Sequence, residues 1–520
     1  MNVTKKKEVF IVVLCLLLGF ALRFYALEKK SLWVDEVHTF NDSRDDLTGQ
    51  IKYYKENPTF LHPPMFFVLT HLFHPFEKPE RDLRIIPLIA GVLSIPMIYF
   101  LSSQFSPVIA LPCTLSLTFM TYHISLSQEG RSYTLIMFLG MVGLYFFMKY
   151  LKTSKMVLLL PAGFFLSTLF YISYSSLSFI FLSQTLWLYQ TDKNNKRKKI
   201  SSFLLLTGII LLVCLPWILF VIFNFKAQPL MEPYQEKLVR SLWEVLYWML
   251  HDWTVHLPLM IISIILLALL LIGSELKRNA GALLLMIFLP VTGIYLLCHF
   301  FKINHFISSR YFINFLPIFL ISLYLSVNNI ELRFQRLKNL ISLRLLFSLF
   351  FIASNLVILP FYYQSDKMNL RGLVNYLQGE LREGDKIFDT AKGMGLMAGI
   401  LHYFGTVPAG RDYVYSVNMI SKNETEFTKS FTYQGKQFSI YNASSCCNQY
   451  IEDGSRLWII ADKFAAQKLK DIPAFVLKGF FDGSFLNLDK FPYDASLYLF
   501  LIDPKSLDEK GIDLPSEVLK

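Results

Sequence analysis

The residues best suited to chemistry lie at the edges of long apolar segments, outside their centres. Asp35 and Glu36 follow the first apolar segment, Glu129 and Arg131 separate two later ones, and Arg310 precedes another. A carboxylate can accept a proton, whereas the planar, permanently charged guanidinium of arginine matches the geometry of a phosphate. The set therefore predicts a site that joins a general base to an anion-binding group. Further candidates in the same loops and edges are His62, Arg84, Tyr133 and His305.

The apolar segments that would position these residues are long enough to span a membrane, since a bilayer core needs about 20 helical residues. Runs without Asp, Glu, Lys or Arg cover 9–22, 85–128, 132–148, 156–191, 200–225, 257–274, 279–301, 311–330 and 345–365. Residues 85–128, which break near residues 102–104, and residues 156–191 can each hold two helices. The pattern therefore predicts eleven spans. With 54% hydrophobic and 17% charged residues, the composition excludes a disordered protein, a disulfide scaffold and an ordinary soluble enzyme.

The basic residues predict the orientation of these spans. If the N-terminus is cytoplasmic, the inner segments hold 16 Lys and Arg residues in 35 positions. Such density is typical of cytoplasmic loops. Topology therefore explains much of the formal net charge of +11, and nucleic-acid binding is not expected. The inner segments are 1–7, 149–155, 192–199, 275–279 and 331–338.

This orientation places all the candidate residues on the outer side of the membrane. The outer loop 28–84 carries the acidic pair, within a predicted membrane domain of residues 1–365. Residues 366–520 are much more polar, and we expect them to form a separate extracytoplasmic domain. Apolar residues recur at helical spacing from Leu370 to Leu381, and short β-like runs follow, which predicts a small α/β domain.

The centres of the spans contain almost no charged residue. Ion-coupled transporters tend to place ionisable groups near the middle of the bilayer. Charges at one membrane face indicate instead a reaction at the outer leaflet that uses a lipid-borne substrate. Arg23, near the outer end of the first span, is expected to extend to the membrane interface.

Several motifs together resemble C-type glycosyltransferases that use polyprenyl-phosphate sugars. The similarity is greatest to bacterial protein O-mannosyltransferase-like enzymes and lipid A aminoarabinose transferases. It implies a helical polytopic membrane fold with about eleven spans and a small outer α/β domain. The motifs, in chain order, are Leu32-Trp33-Val34-Asp35-Glu36, His62-Pro63-Pro64-Met65, Arg84 with Pro87, Gln128-Glu129-Gly130-Arg131-Ser132-Tyr133, and Ser309-Arg310-Tyr311-Phe312 with Pro317.

The resemblance implies inverting transfer of one sugar from a polyprenyl-phosphate carrier to an extracytoplasmic lipid, glycan or protein, at the outer leaflet of the inner membrane. Asp35 would be the base, and Glu36 would orient the loop or help to bind a metal. Arg131 and Arg310 would hold the lipid phosphate, because arginine at a helix start is better explained by a bound anion than by the helix dipole. Tyr133 and His62 would assist, with Glu129, Arg84 and His305 in support.

Three points stay open. Aminoarabinose transferases tend to have a lysine where this chain has His62, which argues against that substrate. A divalent metal could use Glu36 and a histidine, but no group of residues supplies enough ligands to assign one. A lipid-linked glycan flippase or transporter, or a glycan polymerase or ligase using a diphosphate-linked donor, remains as an alternative function.

Overall fold

The computed structural model describes residues 3–56, 58, 61–189, 196–225, 241–273, 277–301, 307–333, 342–390, 396–405, 426–443, 454–483 and 495–504. Helices make up most of the first 364 residues, as expected from their apolar sequence. They are α1 (Val3–Phe24), α2 (Val34–Asp42), α3 (Leu47–Glu56), α4 (Met65–His71), α5 (Pro79–Asp82), α6 (Ile85–Phe105), α7 (Ala110–Phe119), α8 (Thr121–Ser127), α9 (Tyr133–Thr153), α10 (Leu159–Phe170), α11 (Leu177–Ser183), α12 (Lys196–Asn224), α13 (Leu242–Thr254), α14 (Leu257–Gly273), α15 (Lys277–Phe300), α16 (Leu316–Arg333) and α17 (Leu343–Gln364).

The chain is a multi-pass helical membrane protein. Six helices of the described part of the chain are long and apolar enough to cross a membrane, or up to eight if each of two bent helix pairs is one span. Large apolar side chains remain exposed on several of these helices, including α12, α14 and α17. This exposure is expected where lipid replaces water as the solvent. The total of eleven spans stays a prediction.

One of the bent pairs, α7 and α8, leads directly to the candidate residues that follow Ser127. The two helices meet at Met120 with a bend of 59°. A break in a helix leaves backbone groups unpaired, and an apolar environment makes this costly. Arg23 of α1 donates to the carbonyl oxygens of Leu117 and Thr118, at 3.0 and 3.1 Å, at the end of α7. Asn355 of α17 accepts a hydrogen bond from the Thr121 N–H at 2.8 Å, at the start of α8.

The placement of Arg23 corrects the sequence-based expectation. Its side chain is fully buried and does not extend to the interface. Besides the two carbonyls of α7, its guanidinium lies 2.7 Å from His123 Nδ1. A cation at a helix C-terminus also complements the negative end of the helix dipole. Arg23 is therefore a structural cap for a broken helix.

The C-terminal part, here called the sheet region (residues 366–504), is an α/β unit, as the sequence predicts. Its strands form one sheet in the order β2-β3-β1-β4-β6-β5. Helices cover both faces, so the central strand β4 is fully buried. The elements are α18 (Leu370–Glu380), β1 (Lys386–Asp389), α19 (Leu396–Tyr403), β2 (Glu426–Tyr433), β3 (Lys436–Ala443), β4 (Leu457–Ala461), α20 (Lys463–Leu469), β5 (Val476–Phe481) and β6 (Leu497–Ile502).

Candidate active site

The site is built around residues 31–36, here called the acidic segment, which end in the first turn of α2. Trp33 is extended at the N-cap position, and Asp35 and Glu36 occupy the first helical turn. Acidic side chains are favoured there because the unpaired N–H groups and the helix dipole make the helix start positive. Trp33 is almost completely buried and belongs to the hydrophobic core of the sheet region. The acidic segment therefore lies between the membrane helices and the sheet region.

Glu36 holds the acidic segment to the start of α6. Its two carboxylate oxygens each accept from Arg84 at 2.7 Å, and both side chains are only 2% exposed. Glu36 Oε1 also accepts from the Gly130 N–H at 2.7 Å. A Cβ at residue 130 would lie 3.2 Å from that oxygen, so glycine permits the close approach. Both oxygens of the Glu36 carboxylate are therefore bound by Arg84, and one of them also by the Gly130 N–H.

Asp35 points to the other side of α2 and meets Arg310. Its Oδ2 lies 3.3 Å from Nη2 of Arg310, which lies in the 3-10 turn Ser309–Phe315 that precedes α16. The Arg310 side chain is 1% exposed, whereas that of Asp35 keeps 21% of its surface exposed. Asp35 can therefore meet a substrate. Arg310 is buried behind it. Its expected contact with the lipid phosphate stays a prediction.

The charges around Asp35 favour its ionised form. Burial by itself raises the pKa of Asp35, but the positive charges of Arg310, Arg131 and Lys367 outweigh burial, and the nearby His38 ring acts in the same direction. The pKa of Asp35 therefore lies below its ordinary value. Because the group is then deprotonated at neutral pH, it is available to accept a proton.

Arg131 packs against the start of α2 and is half-buried. Its Nη1 donates to the Asp35 carbonyl oxygen at 3.3 Å and to Thr39 Oγ1 at 3.2 Å. Burial opposes the charge of Arg131, yet the carboxylate of Asp35 and the hydroxyl of Tyr133 raise its pKa above the ordinary value. Arg131 is thus a permanent cation with part of its surface accessible beside the carboxylate.

A second carboxylate, Glu129, is neutralised by two cations. Lys367 Nζ lies 3.3 Å from Glu129 Oε2, and Arg310 Nη1 lies 3.9 Å from Oε1. Both cations also contact the same indole, since Lys367 Nζ lies 3.6 Å and Arg310 Cζ 5.0 Å from the centre of the Trp33 ring. Cations are attracted to the face of an aromatic ring. Tyr133, buried at the start of α9, adds its ring 5.6 Å from Arg310 Cζ.

Two histidines complete the surroundings of Arg131. Enclosure by the surrounding protein, the charge of Arg131 and the neighbouring His38 ring lower the pKa of His62 to about 4, although the His62 side chain is exposed to solvent. Burial also lowers the pKa of His38 to about 4. The charge of Asp35 raises this pKa, and the charge of Arg131 offsets part of that increase. Both rings are therefore neutral at physiological pH and can donate or accept one hydrogen bond without adding charge. The residue before His62 is anchored, because Tyr174 donates to the Leu61 carbonyl at 2.8 Å.

The small cavity behind the acidic segment, between Trp33, Glu129 and Lys367, is too small for a sugar. Its volume of about 30 Å³ would admit about two water molecules. A metal site does not fit the donors either. Within the described ranges, no group of three or more His, Cys, Asp or Glu residues could hold a metal ion. Glu36, the expected metal helper, already binds Arg84 through both oxygens.

The structure brings most of the predicted residues together. Asp35, Glu129, Arg131, Tyr133 and Arg310 share one site, with His62 at its edge; His305 lies outside the described residues. Two further groups were not predicted. His38 could have been found, since it follows Asp35 by three positions and so shares its helix face. Lys367 carries no such signal, because a lysine after a span is ordinarily read as an interface anchor.

Comparisons with known proteins agree with this architecture. Residues 61–220 match the family model described as dolichyl-phosphate-mannose-protein mannosyltransferase. No curated protein gives a significant sequence match. The crystal structure of ArnT from Cupriavidus metallidurans in the apo state superposes with a TM-score of 0.53 at 11% identity, covering 96% of this chain and 98% of ArnT. The same protein bound to undecaprenyl phosphate gives a TM-score of 0.54 at the same identity and coverage. The resemblance carried by the sequence motifs is therefore confirmed, and the chain has the fold of the C-type glycosyltransferases.

Proposed function

We propose that the protein is an inverting glycosyltransferase that moves one sugar from a polyprenyl-phosphate carrier to an extracytoplasmic acceptor. The observation that carries the proposal is the contact of Asp35 with Arg310, beside the partly accessible Arg131. One partly exposed carboxylate surrounded by buried and half-buried cations suits a base that works next to a phosphate. The family match and the undecaprenyl-phosphate-bound ArnT structure support a lipid-phosphate donor.

In the proposed reaction the acceptor hydroxyl attacks the anomeric carbon from the face opposite the phosphate. The oxygen–carbon bond forms while the bond from the anomeric carbon to the phosphate oxygen breaks, and the electron pair leaves with the phosphate. Asp35 takes the hydroxyl proton. A single displacement inverts the anomeric centre, and Glu129, held by Lys367 and Arg310, is not available as a second nucleophile.

The charge balance supports a donor with a single phosphate. The Glu36–Arg84 pair is neutral as a whole. The other described charges of the site are the cations Arg131, Arg310 and Lys367 and the carboxylates Asp35 and Glu129, which leaves one net positive charge. A sugar linked through one phosphate to a lipid carries one negative charge, which balances the site. When Asp35 takes the proton, the net charge of the site rises by one. The released lipid phosphate also gains one negative charge, so the balance is kept through the reaction.

We propose that Arg131 contacts the donor phosphate and that neutral His62 assists as a hydrogen-bonding partner. Arg310, which is buried, keeps Asp35 ionised and adds positive charge behind the reacting groups. Lys367 neutralises the charge of the Glu129 carboxylate, and both side chains are largely buried. The proposed orientation puts this site and the sheet region outside the cytoplasm, where lipid, glycan and protein acceptors are available.

Asp35→Asn tests the proposal in purified protein supplied with a polyprenyl-phosphate sugar and envelope acceptors. We expect turnover to fall by at least about a hundredfold, because a positioned base contributes roughly 10²–10⁴-fold to such a step. Asp46→Asn is the matched control, since Asp46 is exposed in the same outer loop and caps the Gly49 N–H, as asparagine also does. Near-normal turnover of Asp35→Asn would exclude Asp35 as the base.

The donor class is tested in the same assay by competition. We expect a monophosphate-linked sugar to be used in preference to a diphosphate-linked one, because the site has one net positive charge. Preference for the diphosphate donor would instead favour a glycan polymerase or ligase. Movement of the lipid-linked sugar across proteoliposomes without covalent transfer would contradict the proposed reaction.

A further inference from the structure

We propose that the sheet region completes the active site, with Tyr403 as the positioning residue that holds the acidic segment from its outer side. The inference rests on the proposed function, in which Asp35 is the base. Tyr403 is the last residue of α19, and its hydroxyl lies between the acidic segment and α5. None of its hydrogen bonds reaches the Asp35 carboxylate, so its effect acts through the backbone.

The Tyr403 hydroxyl forms hydrogen bonds with two separate parts of the chain. It accepts from the Leu32 N–H at 2.7 Å and donates to Glu80 Oε1 at 3.0 Å, and Ser31 Oγ lies 3.3 Å away. A phenol can donate one hydrogen bond and accept two. The Leu32 N–H and Glu80 therefore fill one acceptor and the donor position of the phenol, and Ser31 Oγ, which also donates to the Leu32 carbonyl oxygen at 3.1 Å, adds a weaker contact.

Other groups of the sheet region hold the same stretch of chain. Asp366 Oδ1 accepts from the Ser31 N–H at 3.1 Å, and Trp33 packs into the core formed with α18 and α19. Near the end of α2, the Phe40 ring meets the His402 ring edge-on at 4.7 Å. The sheet region thus contacts the chain both before and after Asp35.

The membrane helices hold the acidic segment from the opposite side. Arg84 donates to the carbonyl oxygens of Lys30 and Ser31, each at 3.1 Å, as well as to Glu36. Asp35 lies between these two sets of contacts. Without the contacts from the sheet region, the acidic segment is attached only to the membrane helices, so Asp35 can shift relative to Arg310 and the acceptor. A shift of about 1 Å at a reacting group can cost as much as a hundredfold in rate.

Tyr403→Phe tests the inference because it removes only the hydroxyl. We expect kcat to fall about tenfold while KM for the donor changes less than about twofold, since Arg131 is untouched. The acid limb of the pH–rate profile should also move to higher pH, because Asp35 separates from Arg310. The other charged or titratable groups facing Asp35, namely Arg131, His38 and Lys367, stay unchanged. Tyr376→Phe is the control, since Tyr376 packs against Trp458 and Phe481 elsewhere in the sheet region.

Asp366→Ala removes a different bond to the same segment and should reproduce the lower kcat with the same donor KM. It decides the question alone if Tyr403→Phe does not yield folded protein. Unchanged kcat and acid limb in folded variants, with Asp35→Asn inactive, would overturn the positioning role and leave the proposed function intact. Full activity of Asp35→Asn would instead contradict the proposed function itself. A fall in kcat equal to that of Tyr376→Phe would also overturn the inference.

Discussion

Two arginines flank Asp35 at different depths, and this difference separates their expected roles. Arg131 is half-buried beside the accessible edge of the carboxylate, whereas Arg310 is 1% exposed behind it. A buried cation next to a carboxylate acts mainly on its ionisation, and an accessible one can bind an incoming anion. Substitution of the two should therefore change different kinetic quantities.

Arg131→Gln should raise the donor KM by about tenfold or more, because a hydrogen bond to a charged group contributes roughly 1.5–3 kcal/mol. The measurement is initial rate against donor concentration at fixed acceptor concentration. Arg382→Gln, an exposed arginine of the sheet region, serves as the control for loss of a positive charge. An unchanged donor KM in Arg131→Gln would contradict its assignment to the phosphate.

Arg310→Gln should instead shift the pH dependence. The pKa of Asp35 lies below its ordinary value, so the base is active above that pKa and is lost as the pH falls through it. Removal of the Arg310 charge raises that pKa, and activity should then begin to fall at a higher pH. The acid limb of kcat/KM against pH reports the shift. An acid limb that stays in place would show that Arg310 does not control Asp35.

At the residue scale, charged residues that belong to a recognisable motif could be predicted from the sequence. Functional residues outside any motif were missed. Asp35, Glu129, Arg131 and Arg310 could be grouped because all four lie on the predicted outer side of the membrane. Their division of labour could not be predicted, since it depends on burial. Lys367 and Tyr403 were missed because they are more than 200 residues from Glu129 and Arg131, and only folding brings them to the acidic segment.

At the scale of elements, α8 begins directly after the break at Met120, and the turn 128–132 follows the end of α8. The break near residues 102–104, where α6 ends at Phe105, could be predicted because polar residues and the span length mark it. The break at Met120 was not predicted, since residues 105–128 contain no charge. That break exists because Arg23 and Asn355, from distant helices, supply the missing hydrogen bonds.

Asn355→Ala should therefore destabilise the protein by about 1 kcal/mol, the usual cost of losing a helix N-cap. Activity should fall as well, because α8 leads into the turn that carries Glu129 and Arg131. Thermal unfolding in detergent and turnover measure the two effects. Asn224→Ala is the matched control, since Asn224 bonds only a carbonyl of its own helix. Equal unfolding temperatures for the two variants would argue against the capping role.

At the scale of the whole molecule, the helical membrane architecture and the C-terminal sheet could both be predicted. Apolar runs and basic segments follow from the bilayer as a solvent, which acts on every residue in the same way. The close joining of the two parts could not be predicted. Trp33 precedes α2 by sequence but packs in the core of the sheet region, so the contact crosses more than 330 residues of chain.

The predicted orientation can be checked by labelling cysteines with a membrane-impermeant maleimide in intact cells, after Cys446 and Cys447 are changed to Ser. We expect Lys478→Cys, exposed on β5, to react from outside. Lys152→Cys, exposed at the end of α9, should react only after the membrane is permeabilised. The opposite pattern would reverse the assignment of the site to the outer face.

The cap of α8 has a consequence for how the protein is made. Asn355 belongs to α17, the last membrane helix in the described part of the chain, so the ribosome completes α17 after α8. A nascent chain that has not reached residue 355 contains α8 but lacks the acceptor for the Thr121 N–H. Such an amide in an apolar environment costs several kcal/mol. The turn that bears Glu129 and Arg131 is therefore fully supported only once translation has passed α17, so an unfinished chain differs physically from a finished one at the candidate active site.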